Sequence, residues 1–220
     1  IRDRVRSRGL GDVYKRQLKW SANNGYHKNM AYLSFKPKLK TTEKRIIFLT
    51  WDELMTVYNF SIPESKKYLD RVRDVFCFCC FTSLRYSDVY NLKRFDIKNG
   101  ALHITTVKTA DSLTIDLNKY SQAILDKYDG VPFEDNKALP VISNQKMNDY
   151  IKELGQLCGL DQPETVTYYV GNERVDEVYP KYELMGTHTG RRTFISNAIM
   201  MGIPPQVVMK WTGHSDYKAM

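Results

Sequence analysis

The sequence predicts a mainly α-helical fold with small antiparallel β-sheets, α+β in class. Two patterns carry that expectation. Residues 64–81 place Tyr68, Leu69, Val72, Val75, Phe76, Cys79 and Cys80 at helical spacing, as a core helix does. Residues 97–117 instead alternate apolar and polar positions around Asn99-Gly100, the pattern of short strands joined by a tight turn. A length of 220 residues, 42% of them hydrophobic, leaves room for one substantial domain and a piece of another.

Taken in order, the first 17 residues stand apart. Arg2, Arg4, Arg6, Arg8, Lys15 and Arg16 face only Asp3 and Asp12, so this segment supplies half of the net charge of +8. It has no amphipathic period and resembles the translated sequencing-adapter strings found at the ends of assembled reading frames. It is therefore set outside the fold as a non-native scar, the alternative being a disordered basic arm. Residues 18–27 read as a helix closed by Gly25. Residues 35–45 carry Lys36, Lys38, Lys40, Lys44 and Arg45 around Pro37 without an apolar period, as a linker does.

Thr50 and Glu53 have capping-box spacing and open a helix to about residue 59. The core helix over 64–81 is followed by a short helix over 87–92, then the strands within 97–117. Helices are expected over 119–128 and 144–158, and a second hairpin over 165–178 around Gly171-Asn172. Thr187 is placed to cap a helix over 188–200 that Gly202 ends. Pro204 opens another, to about Trp211.

No apolar run approaches the roughly 18 residues that span a membrane, and the N-terminus lacks a signal-peptide core. Cys77, Cys79, Cys80 and Cys158 fit no zinc spacing, and no metal site is expected; three of them lie in one apolar stretch, as buried free thiols do. Beyond the first 17 residues the charge excess is modest, so a polyanionic partner must be argued from where the cations sit.

The cations of interest are spread over about a hundred positions. Arg85 lies in Thr-Ser-Leu-Arg-Tyr-Ser-Asp, with Asp88 one helical turn on; Lys108 lies between two strands; His188 and Arg191 share a helix face in His-Thr-Gly-Arg-Arg-Thr-Phe; His214 follows in Thr-Gly-His-Ser. Singly, each would be an ordinary surface or core residue. Together, two arginines, a lysine and two histidines can cradle a phosphodiester. Transesterification at phosphorus needs a nucleophile, a base for its proton, an acid for the leaving oxygen, and donors for the charge on the non-bridging oxygens. Arginine suits the last task, since its planar fork meets two phosphate oxygens and stays protonated.

The order and spacing of these motifs resemble the catalytic domain of the tyrosine recombinases, the phage-integrase family, over about residues 18–220. The resemblance implies the DNA breaking-rejoining fold over 49–220, a remnant of an N-terminal core-binding domain over 18–34, and a basic linker over 35–48. It also implies a site-specific DNA recombinase that cuts one strand at a time through a 3′-phosphotyrosine, without cofactor or metal. Arg85 and Arg191 become the phosphate-binding arginines, His188 the proton acceptor, His214 a donor to phosphate, Lys108 the donor to the leaving oxygen, and Asp88 the acid orienting Arg85. Lys36, Lys38, Lys40, Lys93, Arg94 and Arg192 are expected to face DNA.

In relatives the attacking tyrosine follows the second histidine by about nine residues, some two and a half helical turns, which from His214 falls about three residues beyond Met220. Tyr217 is read as a packing residue, and residues 1–220 by themselves as an inactive fragment. Expected partners are double-stranded DNA and further protomers in a tetramer on two duplexes, with no small-molecule substrate, in the bacterial cytoplasm at the nucleoid. Two other readings stand beside this one: a non-catalytic helix-turn-helix-like DNA-binding remnant, and a type IB topoisomerase.

Overall fold

The computed structural model describes residues 6–34, 45–108, 112–170, 173–214 and 216–217, with backbone alone for 6–12. Contacts group the chain into two units, 1–42 with 168–175 and 43–167 with 176–220. In the first, helix α1 (Arg6–Asn23) precedes a single-turn helix α2 (Ala31–Ser34). The helix expected from Leu18 thus begins further upstream. Its end is closed by Gly25 at φ 77°, a conformation open to glycine because it has no Cβ. Trp20 then stacks on Tyr26 at 5.8 Å, and His27 Nε2 meets the Leu18 carbonyl at 3.0 Å. Lys36, Lys38 and Lys40 lie outside the described residues.

The second unit opens on helix α3 (Trp51–Asn59). Its capping box is formed as the sequence predicts: Glu53 N donates to Thr50 Oγ1 at 3.3 Å, and Thr50 N to Glu53 Oε2 at 2.7 Å. A 3-10 turn (Glu64–Lys66) leads into α4 (Tyr68–Thr82), the core of the unit, with Leu69, Val72 and the whole run from Asp74 to Thr82 buried. The short α5 (Tyr86–Asn91) follows. Next comes a three-stranded antiparallel sheet of β1 (Ile97–Lys98), β2 (Ala101–Thr105) and β3 (Ser112–Asp116), in that order. Leu102 pairs with Ile115 and Ile104 with Leu113, so the buried face of the sheet is set by the alternation read in the sequence.

Helices α6 (Lys119–Lys127) and α7 (Asn144–Leu157) follow, then β4 (Pro163–Val170) and β5 (Glu173–Pro180), which form a two-stranded sheet whose tip, 168–175, groups with the first unit and whose turn residues lie outside the described set. The chain closes on α8 (Thr187–Met200) and α9 (Pro205–Thr212). Helix α4 packs against α3, α6, α7 and α8. None of the described helices is long and apolar enough to cross a membrane.

Two polar devices pin this core. Asp74, buried within α4, accepts from Arg73, from Lys127 at 2.6 Å and from the Tyr128 hydroxyl at 2.8 Å, tying α4 to the end of α6. A buried charge is tolerated only when its neighbours satisfy it this fully. Burial and the Asp74 charge push the Tyr128 hydroxyl far up. On the other side, Thr193 Oγ1 of α8 accepts from Leu49 N at 2.9 Å, and Asn197 Nδ2 donates to Leu49 O at 3.0 Å. The segment entering the unit is thereby fixed to α8. The cysteines are free thiols; Cys77, Cys79 and Cys80 are buried in the core, and burial drives the Cys79 thiol up to about 12.

Helix α8 begins one residue earlier than expected. Its N-cap is Gly186 rather than Thr187. Thr187 instead spends its backbone N–H and its hydroxyl on Asn148 and Asn144 of α7, at 2.9 and 3.2 Å. Helices α8 and α4 approach closely at Gly190, where an added Cβ would lie 2.8 Å from Cys79 Cβ. Gly190→Ala is therefore expected to overpack this contact and cost about 1–3 kcal/mol, read as a lower urea midpoint; an unchanged midpoint would show that the helices can slide apart freely.

Candidate active site

Arg191 is the centre of the site. It lies on the first turns of α8 and is only 3% exposed, so its charge must be met by fixed acceptors. Two backbone carbonyls do this. Nη1 donates to Ser83 O at 2.9 Å and Nη2 to Thr212 O, so the guanidinium sits between the C-terminal ends of α4 and α9. Helix C-termini carry partial negative charge, which suits them to a buried cation. Ser83 reaches this position by entering the left-handed region at φ 62°, uncommon for a residue with a Cβ. That reversal ends α4 and turns the chain directly into Arg85.

Arg85 occupies the N-cap position of α5, its side chain 17% exposed. Asp88 lies 4.0 Å away, outside hydrogen-bond reach. Arg85 Nη1 and Asp88 Oδ2 are both buried without a hydrogen-bond partner among the described residues. The other oxygen, Asp88 Oδ1, accepts from Val107 N at 3.0 Å. Asp88 therefore joins the Arg85 turn to the loop that carries Lys108. Lys108 itself is exposed, and residues 109–111 lie outside the described set.

The two histidines complete the cluster. His214 Nε2 faces Arg191 Nη2 at 3.3 Å, and its Nδ1 faces Thr212 Oγ1 at 2.7 Å. Its pKa is pushed down to about 4 by desolvation first, then by Arg191 and Arg85, with Asp216 opposing and His188 adding. His188 is also held below its usual range, first by desolvation of its ring and then by the charges of Arg192, Arg191, Arg85 and Lys108. Arg191 falls to about 10 through burial and Arg85, Asp88 opposing. The charges of Arg85, Lys108, Arg191 and Arg192 thus all act on His188, and those of Arg191 and Arg85 on His214, each making the histidines harder to protonate. Such a site gains free energy from an anion.

Other expected residues lie elsewhere or are engaged. Lys93 Nζ donates to Asp135 O at 2.7 Å; Arg94 Nη2 donates to Tyr128 O at 2.9 Å and Val131 O at 2.5 Å. Both brace the loop after α6. Arg192 is half-buried beside His188. Tyr217, expected to pack, is 66% exposed. Ser83 and Thr212 escaped the sequence reading because they act largely through backbone carbonyls; a small residue just before the Arg85 turn was the only signal.

Known proteins give the same outline. The model of the phage integrase family matches residues 47–220. No curated protein matches the sequence. The fold is similar to lambda integrase bound as a dimer to a COC′ core site, with a TM-score of 0.68 at 15% identity over 94% of this chain and 71% of that one. It is similar to the Tn1549 transposon integrase in complex with a circular intermediate DNA, with a TM-score of 0.64 at 14% identity over 93% of this chain and 71% of that one. It is also similar to the XerH site-specific recombinase bound to difH, with a TM-score of 0.56 at 14% identity over 86% of this chain and 52% of that one.

The lowered histidines have a consequence for stability. An unfolded histidine titrates near 6.5, above folded His214 at about 4. The unfolded state therefore binds more protons between these values, and the stability contributed by neutral His214 is full above about 6.5 and lost as pH falls towards 4. Urea midpoints are expected to fall over that window, and His214→Gln is expected to flatten the fall; an unchanged slope would mean that His214 titrates normally.

Proposed function

Since the chain belongs to the phage integrase family over residues 47–220, we propose that the Arg85–Arg191 site holds one DNA phosphodiester for attack by a tyrosine, as a tyrosine-type site-specific recombinase does. The observation that carries this reading is Arg85 Nη1: a buried cationic donor without a hydrogen-bond partner among the described residues, in a cluster of cations and histidines. An unpaired buried guanidinium nitrogen is costly unless an anion completes it.

In this reading Arg85 and Arg191 take the non-bridging oxygens, where charge grows as phosphorus is attacked. The bonds Arg191 makes to Ser83 O, Thr212 O and His214 use three of its five N–H donors. Two remain for phosphate. His188, neutral at physiological pH because its pKa is depressed, can accept the proton of the attacking phenol. Lys108, on the loop held by Asp88, donates to the departing 5′-oxygen. The bond from phosphorus to that oxygen breaks as the bond to the tyrosine oxygen forms. The resulting 3′-phosphotyrosine keeps the bond energy, so a 5′-hydroxyl from a partner strand can reverse the step.

Lys36, Lys38, Lys40 and Arg192 are assigned to flanking phosphates, which give affinity and register while base contacts choose the site. Lys93 and Arg94 keep their part in bracing the loop after α6, beside whatever DNA contact their remaining donors make. The partners are double-stranded DNA and further protomers, in the bacterial cytoplasm. A non-catalytic helix-turn-helix reading of α8 and α9 is less well supported. In it the second helix, α9, would read a groove, which leaves Arg85 and Lys108, and the buried donor Arg85 presents, without a role.

The test uses the protein expressed from its complete gene, on nicked suicide duplexes made from the DNA that flanks the gene. A denaturation-resistant protein–DNA adduct is expected. Arg85→Ala should reduce its formation about 10²–10³-fold, the usual effect of losing one charge-stabilising donor, and lower the salt slope of DNA binding by about one. An adduct formed equally well by Arg85→Ala would remove Arg85 from the chemistry.

A further inference from the structure

Thr212 bears on the protonation of His214. It is fully buried at the end of α9, and its hydroxyl has one hydrogen to give. Oγ1 lies 2.8 Å from Val208 O and 3.3 Å from Met209 O, carbonyls that can only accept. The hydroxyl hydrogen is therefore committed backwards along the helix, as threonines commonly do. What faces His214 Nδ1 at 2.7 Å is an oxygen lone pair, and Nδ1 must supply the hydrogen. The other side of the ring gives the same answer independently. Nε2 sits 3.3 Å from Arg191 Nη2, a group that can only donate, so Nε2 must present its lone pair.

We infer that Thr212 is a positioning residue that fixes His214 as the Nδ1–H tautomer, so that His214 donates to a phosphate only after taking up a proton at Nε2. The inference rests on the phosphate-binding reading above. In the free site Nε2 accepts from Arg191. When the anion enters, a solvent proton binds Nε2. The imidazolium then donates Nδ1–H to Thr212 Oγ1 and Nε2–H to a phosphate oxygen, and its bond from Arg191 breaks. One proton thus creates one new donor and frees an Arg191 N–H. The groups acting on His214 are Arg191 and His188 from α8, Arg85 before α5, and Asp216 after it in the chain. Three of these oppose protonation in the free protein. The anion supplies the compensating charge, and by reciprocity protonation strengthens anion binding.

The test is ¹⁵N NMR of the histidine side chains in the 220-residue chain, with sulfate as the anion because it stays doubly ionised throughout the range in which histidine titrates. Without sulfate at neutral pH, His214 should show a protonated Nδ1 and a bare Nε2. With sulfate, Nε2 should become protonated, and sulfate affinity should rise up to tenfold per pH unit lowered. Thr212→Val removes one of the two constraints, so the Nε2–H tautomer should gain population against Arg191 alone and the pH slope of affinity flatten, while Thr212→Ser restores both. A bare Nδ1 in the wild-type chain would overturn the assignment without recourse to any variant, and an unaltered tautomer in a folded Thr212→Val would overturn the positioning role of Thr212, leaving Arg191 as the group that fixes the ring. If the tautomer is as stated but sulfate leaves His214 untouched, the phosphate-cradle reading and the proton uptake fail, and the positioning role of Thr212 stands.

Discussion

A guanidinium buried to 3% exposure is expensive unless its surroundings are built around it, and the second unit of this chain is built around Arg191. Two helices, α4 and α9, end on it with the carbonyls of Ser83 and Thr212. A third, α8, carries it. Because the carbonyls come from backbone, the acceptors are rigid, and the direction of the guanidinium is set before any ligand arrives. Removing Arg191 would therefore strand two carbonyls in the core as well as remove a cation. The loss would be of both stability and chemistry; the loss of Arg85 would strand no carbonyl but would leave the buried Asp88 charge without the cation it faces.

The same constraint places the remaining groups. The left-handed turn at Ser83 that aims its carbonyl at Arg191 also delivers Arg85 two residues later. The Asp88 carboxylate faces Arg85 with one oxygen and holds the Lys108 loop with the other. Thr212 gives Arg191 its carbonyl and His214 its hydroxyl oxygen. Residues more than a hundred positions apart thus meet through few intermediaries. The histidines are left uncharged in a positive field, which is a useful state for a proton acceptor and a poor one for a resting protein at low pH.

Much of the fold was legible because its signals are local. Capping at Thr50 and Glu53, the long apolar period of α4 and the alternation of β2 and β3 each depend on residues a few positions apart. What escaped were features set by tertiary contact. Helix α8 buries Thr189, Gly190, Arg191, Thr193 and Asn197, a polar set that no hydrophobic periodicity reveals. Thr187 was read as its cap, but α7 claims that side chain, leaving the cap to Gly186. The five clustered residues are suggested by motif resemblance, whereas the carbonyls that orient Arg191 carry no residue-type signal. Lys93 and Arg94 looked like surface cations, yet both have partners across the loop after α6.

A phosphate held at Arg85 is the central expectation, and a crystal structure of the chain with a short DNA duplex measures its place directly. The expected result is one backbone phosphate within hydrogen-bond distance of Arg85 Nη1, which has no hydrogen-bond partner among the described residues, with Arg191 still held by Ser83 and Thr212. A duplex bound elsewhere, with Arg85 turned onto Asp88 and no phosphate near His188 or His214, would contradict it.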